Sequence, residues 1–410
     1  MDMFPFNYKT ITFFYPSRLI GGAEMLFLRL ARILSDTLPP EVQIHYVDFK
    51  DGFVSQEISN NNDSIKVIFY DTYKFVHLSD DGLLITPLSS IFEVARFCLG
   101  NPHVFLWSTH PFGLKEMVLA NNHAATADTY RQYGTNLENF IHLNGIHFMD
   151  GPNFHIQKDI FYLSLLEVDY LPIFSRSPRL SKSYNTTFSK KSYSFGWVGR
   201  LCVEKTNALI NVIRHSNSYL RNHPEESITF HIIGDGDMKE SVLHEPHASN
   251  LEIIFVGILS GAELDQYLVE NIDLMFAMGT SSLECASLNV ATVLVDFSYS
   301  TIPVSNRFRF LYQSEEFSVG DEYKIDVDYP FDMNGLISLL KNGEIAKHAE
   351  LCLHYFMQFH SESSVSTKFL QVAQEVQLTL SDIRESKFGQ GRGIYILKSI
   401  YYSIKRWLKI

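Results

Sequence analysis

Gly279, Thr280, Ser281 and Ser282 follow directly on the apolar run Asp273-Leu274-Met275-Phe276-Ala277-Met278, and Glu284 stands just beyond them. The pattern predicts a buried strand, a turn of small residues and a short helix, then a second buried strand over 292–295. Such a turn presents the free N–H groups of a helix N-terminus at the carboxyl end of a strand, where open α/β sheets collect anionic ligands. Glu284, read as lying in the first turn of that helix, would accept hydrogen bonds from ligand hydroxyls, and the helix dipole would keep it ionised. An anion flanked by hydroxyls is the chemistry of a sugar nucleotide.

Two cations stand at a comparable place earlier in the chain. Gly196-Trp197-Val198-Gly199-Arg200-Leu201 closes one expected strand, and Glu204-Lys205 opens the next helix. Arg200 and Lys205 could neutralise a diphosphate as its bond to a sugar breaks. The plain alternative is a pair of solvated surface cations, although a cation at a helix N-terminus opposes the dipole. Three glycine turns have the same form. Gly21-Gly22-Ala23-Glu24 closes the first strand. It would either let backbone N–H groups approach a phosphate or simply serve a turn that needs positive φ. Gly234-Asp235-Gly236 ends a strand at His231-Ile232-Ile233, and Gly257 ends the next. Both suit contact with a nucleotide or a purely structural turn.

Histidines gather in the first half. His110, in Ser108-Thr109-His110-Pro111, and His147 are read as lying just past strand ends, while His142 is read within a strand at 139–143 and as a core residue. No His-x-x-x-His spacing stands near them, and no Asp-x-Asp after a strand suits a metal–diphosphate site, so no catalytic metal is expected.

These residues need strand ends to position them, and the chain supplies two series. Strands are expected at 10–15, 42–48, 65–70, 83–86, 103–107 and 139–143, with helices at 23–34 and 90–98 between them. A polar stretch at 171–193 reads as a linker. Strands then follow at 194–198, 228–233, 251–256, 273–277 and 292–295, with helices at 205–220, 261–269 and 282–288. Regular alternation of this kind implies doubly wound parallel sheets, and 410 residues suit two such domains. Their boundaries are placed at 1–180 and 190–360. A crossover helix back to the first domain (361–385) and a tail (386–410) follow.

A net charge of −12 argues against a general nucleic-acid binder. Four dispersed cysteines read as free thiols of a reducing compartment. No basic, apolar leader is seen at the start, and no run of about 18 apolar residues occurs, so a cytoplasmic protein is expected.

In order and spacing, Gly199-Arg200-Leu201 with Glu204-Lys205, Ile233-Gly234-Asp235-Gly236, Val256-Gly257 and the stretch from Gly279 to Glu284 resemble the GT-B retaining glycosyltransferases, in the group that includes glycosyltransferase family four. Gly21-Gly22-Ala23-Glu24 adds a match near the start. The resemblance implies an α/β GT-B fold, two Rossmann-like domains facing a cleft. It implies metal-independent, retaining transfer of a hexosyl-type sugar from a UDP- or GDP-linked donor, which is a substrate, with no cofactor. By position, Arg200 and Lys205 would bind the donor diphosphate, and Gly21 and Gly22 would approach the phosphates. Gly234, Gly236 and Gly257 would line the donor. Glu284 matches the second acid of the family's paired glutamates, the one that holds the ribose. The first acid is replaced by Phe276, and a shortened loop is expected, with the N–H groups and hydroxyls of Gly279, Thr280, Ser281 and Ser282 taking over. His147 would be catalytic, and His110 and Asn144 would line the acceptor or sugar.

From Lys387 on there are six Lys and Arg residues and no acid, and Ile394, Leu397, Tyr401, Ile404 and Leu408 fall at helical spacing. This basic amphipathic segment reads either as an interfacial anchor on the cytoplasmic face of the inner membrane or as a terminal helix packed on the first domain. The resulting expectation is a peripheral-membrane transferase that extends a glycan, expected to be lipid-linked, in bacterial surface polysaccharide synthesis such as O-antigen or capsule. A GT-B scaffold without turnover and a UDP-sugar epimerase are the rivals.

Overall fold

The computed structural model describes residues 7–390 except 20, 72–73, 123, 179 and 185–190. The amphipathic tail over 391–410 lies outside the described residues. The chain divides into two compact units, Met1–Ile173 with Val365–Ile410, and Phe174–Ser364.

In the first unit the strands are β1 (Thr10–Phe14), β2 (Gln43–Phe49), β3 (Lys66–Tyr70), β4 (Val76–His77), β5 (Gly82–Pro87), β6 (Cys98–Leu99), β7 (His103–Ser108) and β8 (Ile146–Phe148). Between and after them run α1 (Gly22–Thr37), α2 (Phe53–Asn61), α3 (Ile91–Phe97), α4 (Gly113–Asn121), α5 (Ala127–His142) and α6 (Gly151–Phe161). Six of the strands form one parallel sheet in the order β3-β2-β1-β5-β7-β8, and β4 pairs with β6 apart from it. All six residues of β5 are buried, as a strand covered on both faces requires. Helix α1 buries Leu26, Phe27, Leu30, Ala31 and Leu34, the stripe that a 3.6-residue period sets against a sheet.

The expected strand at 139–143 is instead the last turn of α5. Tyr133, Gly134, Leu137 and Phe140 are its buried face, so three- and four-residue spacing decides the element, and Thr126 caps its start in a capping box with Thr129. The strand comes three residues later, as β8.

The second unit repeats the plan with β9 (Ser192–Val198), α7 (Val203–Asn222), β10 (Ser227–Ile233), α8 (Lys239–Leu243), β11 (Leu251–Gly257), α9 (Gly261–Asn271), β12 (Leu274–Ala277), α10 (Thr280–Ser287), β13 (Thr292–Leu294) and β14 (Arg309–Phe310). Its sheet order is β11-β10-β9-β12-β13-β14, parallel except for β14. Helices α11 (Met333–Lys341) and α12 (Ile345–Phe359) complete it, and α13 (Glu362–Ala373) carries the chain into the first unit, where α14 (Leu380–Glu385) follows. Both six-stranded sheets therefore share one order, 3-2-1-4-5-6 by rank, with a reversal between the first and fourth strands. That reversal is where open α/β sheets bind ligands.

Candidate functional site

In the second unit the reversal falls between β9 and β12, which pair in parallel with Trp197 opposite Phe276. The turn after β9 carries Arg200, and the turn after β12 carries Gly279. Arg200 is exposed, and Lys205, half-buried, lies in the first turn of α7. Between them, Glu204 accepts a hydrogen bond from the Cys202 thiol at 2.8 Å. Burial raises the pKa of this carboxyl, but the thiol, its own backbone N–H and the charges of Lys205 and Arg200 together hold it below the ordinary range.

The 234–236 turn braces this loop. Leu201 N–H donates to the Asp235 carbonyl and Met238 N–H to the Leu201 carbonyl, each at 3.0 Å, and Gly199 N–H donates to the Ile233 carbonyl at 3.0 Å. Gly234 has φ +139°, and a Cβ there would lie 2.1 Å from the Gly199 carbonyl oxygen; one on Gly236 would lie 2.4 Å from that of Leu201. Of the two readings of this turn, the structural one accounts for both glycines. Gly257 ends β11 in open space, and Ile258 beside it is 78% exposed.

Two residues, Met278 and Gly279, connect β12 to α10, so the loop is short. Phe276 is fully buried inside β12 against Phe195, Phe230 and Phe308. Gly279 caps α10 with φ +63° and ψ −148°, a conformation that side-chain-bearing residues avoid. Ser282 is wholly buried, and its hydroxyl donates to the Gly279 carbonyl at 2.7 Å, closing the turn. Thr280 and Ser281 are half-buried, and among the described residues their N–H groups have no acceptor. These two donors are the ones open to an anion. Glu284 is half-buried in the second turn of α10, since the first turn holds no acid. The helix dipole, which fades within the first turn, therefore contributes little to it.

In the first unit, Gly21 is the N-cap of α1 in extended conformation (φ −149°), and neither it nor Gly22 has positive φ. A Cβ on Gly21 would lie 2.6 Å from Glu24 Oε2. Glu24 is buried in the first turn of α1, and burial, then the nearby charge of Glu24, pushes the Tyr15 pKa up to about 12. The Glu24 carboxyl thus occupies the space beside Gly21 at this helix start.

His110 lies exposed just past β7, as expected, and its Nδ1 accepts a hydrogen bond from Phe112 N–H at 3.2 Å. His147 does not follow a strand; it is the middle residue of β8. Its ring is buried, stacks on Phe105 at 4.5 Å between centroids, and pairs through Nε2 with the Asn144 carbonyl at 3.2 Å. Burial above all lowers its pKa from 6.5 to about 4, against the opposing Asn144 bond. A core ring kept neutral has no substrate to reach. Asn144 takes the left-handed conformation (φ +52°) that ends α5, ahead of β8 and so at the end of the sheet opposite His110. His142 is the last residue of α5, not part of a strand.

Two acids that matter locally are not among the expected site residues. Asp48 is fully buried at the end of β2 and accepts N–H bonds from Ser17 (2.9 Å), Phe49 (2.8 Å) and Ser55 (2.9 Å). Asp296, just past β13, faces Arg309 in a buried pair. The Asp that ends an apolar strand is a visible signal for both; their partners are not.

No family model matches the chain, and no curated protein does. Among solved structures it resembles the lipopolysaccharide outer core galactosyltransferase WaaB in its apo form, with TM-score 0.51 and 12% identity over 88% of this chain and 98% of that one. It also resembles the N-terminal domain of trehalose-6-phosphate phosphatase from Candida albicans, with TM-score 0.50 and 10% identity over 92% and 98%. HepE of Anabaena, crystallised with UDP and glucose, aligns with TM-score 0.48 and 12% identity over 89% and 99%. The fold is GT-B. Because proteins with different names share it at similar scores, the fold leaves the activity to the site.

Proposed function

We propose that this chain is a glycosyltransferase that moves a sugar from a nucleotide donor to a glycan acceptor, with retention and without a metal. The observation that carries the reading is the pairing at the β9/β12 reversal. Arg200 follows one strand with Lys205 in the helix after it, and the N–H groups of Thr280 and Ser281, without an acceptor among the described residues, follow its neighbour. Cations and oriented N–H groups on adjacent turns are what a departing diphosphate requires. The fold likeness to a galactosyltransferase supports it.

In this reading Arg200, Lys205, Thr280 and Ser281 hold the donor diphosphate, and Glu284 accepts from the ribose hydroxyls. The bond from the anomeric carbon to the phosphate oxygen breaks. The acceptor hydroxyl forms its bond to that carbon on the same face, and its proton passes to the leaving phosphate oxygen. Membership of glycosyltransferase family four, a UDP- or GDP-linked hexose, a lipid-linked acceptor and a role in O-antigen or capsule synthesis belong to the same proposal. So does attachment to the cytoplasmic face of the inner membrane through the basic segment at 386–410. Deleting residues 391–410 should release the protein from vesicles containing anionic lipid; retention on them refutes the anchor.

Phe276, in place of an acid, favours a second reading, a GT-B protein that binds a partner transferase and does not turn over. A thermal-shift and native mass-spectrometric screen against UDP-, GDP-, ADP- and CMP-sugars, with Arg200→Ala as control, tests both. Stabilisation by one sugar nucleotide, lost in the control, supports the transferase. Silence across the panel supports the scaffold.

A further inference from the structure

Asp296 connects the turns that follow β9 and β12. Its carboxylate accepts four hydrogen bonds: from Arg309 Nη2 and Asp321 N–H on Oδ1, and from Arg309 Nη1 and the Tyr329 hydroxyl on Oδ2, all at 2.8–2.9 Å. Four is the full acceptor capacity of a carboxylate. The Arg309 guanidinium also lies 4.2 Å from the centroid of the Tyr329 ring. Both charged side chains are less than a tenth exposed.

From Asp296 the connections run two ways. On one side, Asp321 belongs to a segment that returns along the end of β13. Phe297 N–H donates to the Asp321 carbonyl (2.9 Å), and Tyr323 N–H to the Phe297 carbonyl (2.8 Å). Two residues before Asp321, the Val319 carbonyl accepts the N–H of Gly279 at 2.6 Å. On the other side, Ser298 N–H donates to the Glu204 carbonyl at 2.9 Å, and Asn207 Nδ2 donates to the Ser298 carbonyl at 2.9 Å. The start of α10 and the start of α7 are thus both tied to residues 296–298.

We infer that Asp296 is a positioning residue for the donor site: its buried pair with Arg309 fixes residues 319–323 and 296–298, and these hold Gly279 and the α7 start in one frame. The inference rests on the donor reading above for its functional meaning, and on the hydrogen bonds alone for its mechanics. Arg309 has a second effect. It neutralises a carboxylate close to a turn that must accept an anion, and with all four acceptor positions filled Asp296 cannot compete for a ligand's hydroxyls.

Amide hydrogen exchange of the full chain, with and without inorganic pyrophosphate, tests this. In Asp296→Asn, the hydrogen-bonded amides of Gly279, Ser282, Asp321 and Tyr323 should exchange about tenfold faster while those of β10 keep their protection, because only a local opening becomes easier. Affinity for pyrophosphate should fall about fivefold, and Arg309→Lys, which keeps the charge and one donor, should show both effects in weaker form. Unchanged exchange at Gly279 and Ser282 in a folded Asp296→Asn chain overturns the inference. Should that variant not fold, Tyr329→Phe removes one donor and leaves the ion pair. Faster exchange confined to the two segments then supports the coupling, and parent-like exchange overturns it. If the parent chain does not bind pyrophosphate, the donor reading fails, while the exchange result still decides the mechanical claim.

Discussion

Gly234 and Gly199 approach so closely that a methyl group on the first would lie 2.1 Å from the carbonyl oxygen of the second. The contact joins the turn after β10 to the loop that carries Arg200, and φ of +139° at Gly234 makes the fit possible. Gly234→Ala should therefore displace the Arg200 loop as well as strain its own backbone. The expected cost is about 2–4 kcal/mol, from strain and a forced backbone shift together. Urea denaturation measures it, and a loss below about 0.5 kcal/mol, the size of an ordinary surface change, would show that the loop absorbs the methyl group.

Arg200 is exposed, so its loss should leave the fold intact and fall on function. Arg200→Ala and Lys205→Ala should each lower kcat/KM by about 10²–10³-fold, the range seen when one donor to a developing negative charge is removed. Thermal midpoints close to that of the parent, measured alongside turnover, separate this from misfolding. Full turnover in both variants would remove the diphosphate assignment.

Much of this site is legible in the sequence because it hangs on strand ends. The segments rich in apolar and β-branched residues that form β1, β2, β3, β5 and β7, and those that form β9 to β13, are bounded by turn residues, so the positions of Arg200 and Gly279 follow from them. The error at 139–143 has a physical cause. Asn139-Phe140-Ile141-His142-Leu143 looks like a strand when taken alone, and only the spacing back to Tyr133 and Leu137 shows the helix. Three-residue β8 is too short to announce itself, and the placement of Asn144 and His147 depends on it. The Asp296–Arg309 pair is not legible at all, because nothing local says which of many cations a buried acid will meet. Sequence spacing puts Glu284 on the right helix but one turn too early, since the N-cap falls at Gly279.

Glu284 sits half-buried in the second turn of α10, where it can reach ligand hydroxyls without help from the helix end. Glu284→Gln keeps its size and one acceptor oxygen but loses the charge. Hydrogen bonds to a charged acceptor are worth about 1.5–3 kcal/mol against about 1 for a neutral one. Donor affinity should accordingly fall about tenfold with little change in kcat, as calorimetry and steady-state kinetics would show. Equal affinity in the two proteins excludes the ribose role.

His147 provides a test through pH. Its pKa in the folded chain is about 4, against 6.5 for a free ring, with burial as the leading cause. As pH falls from 6.5 toward 4 the unfolded chain binds a proton that the folded core refuses, so stability drops across that window. Above it, stability is unaffected by this group. The loss amounts to at most ~3 kcal/mol, since each tenfold difference in proton affinity between the folded and unfolded chain is worth about 1.4 kcal/mol. His147→Phe should remove that part of the slope, because a phenyl ring can stack on Phe105 without a proton to gain. Urea denaturation of both proteins at pH 7, 6, 5 and 4.5 reads the difference between the two slopes, each pH chosen to bracket the window. Turnover of His147→Phe at neutral pH should match the parent, as befits a ring in the core. A lost turnover with unchanged stability would instead return His147 to the chemistry.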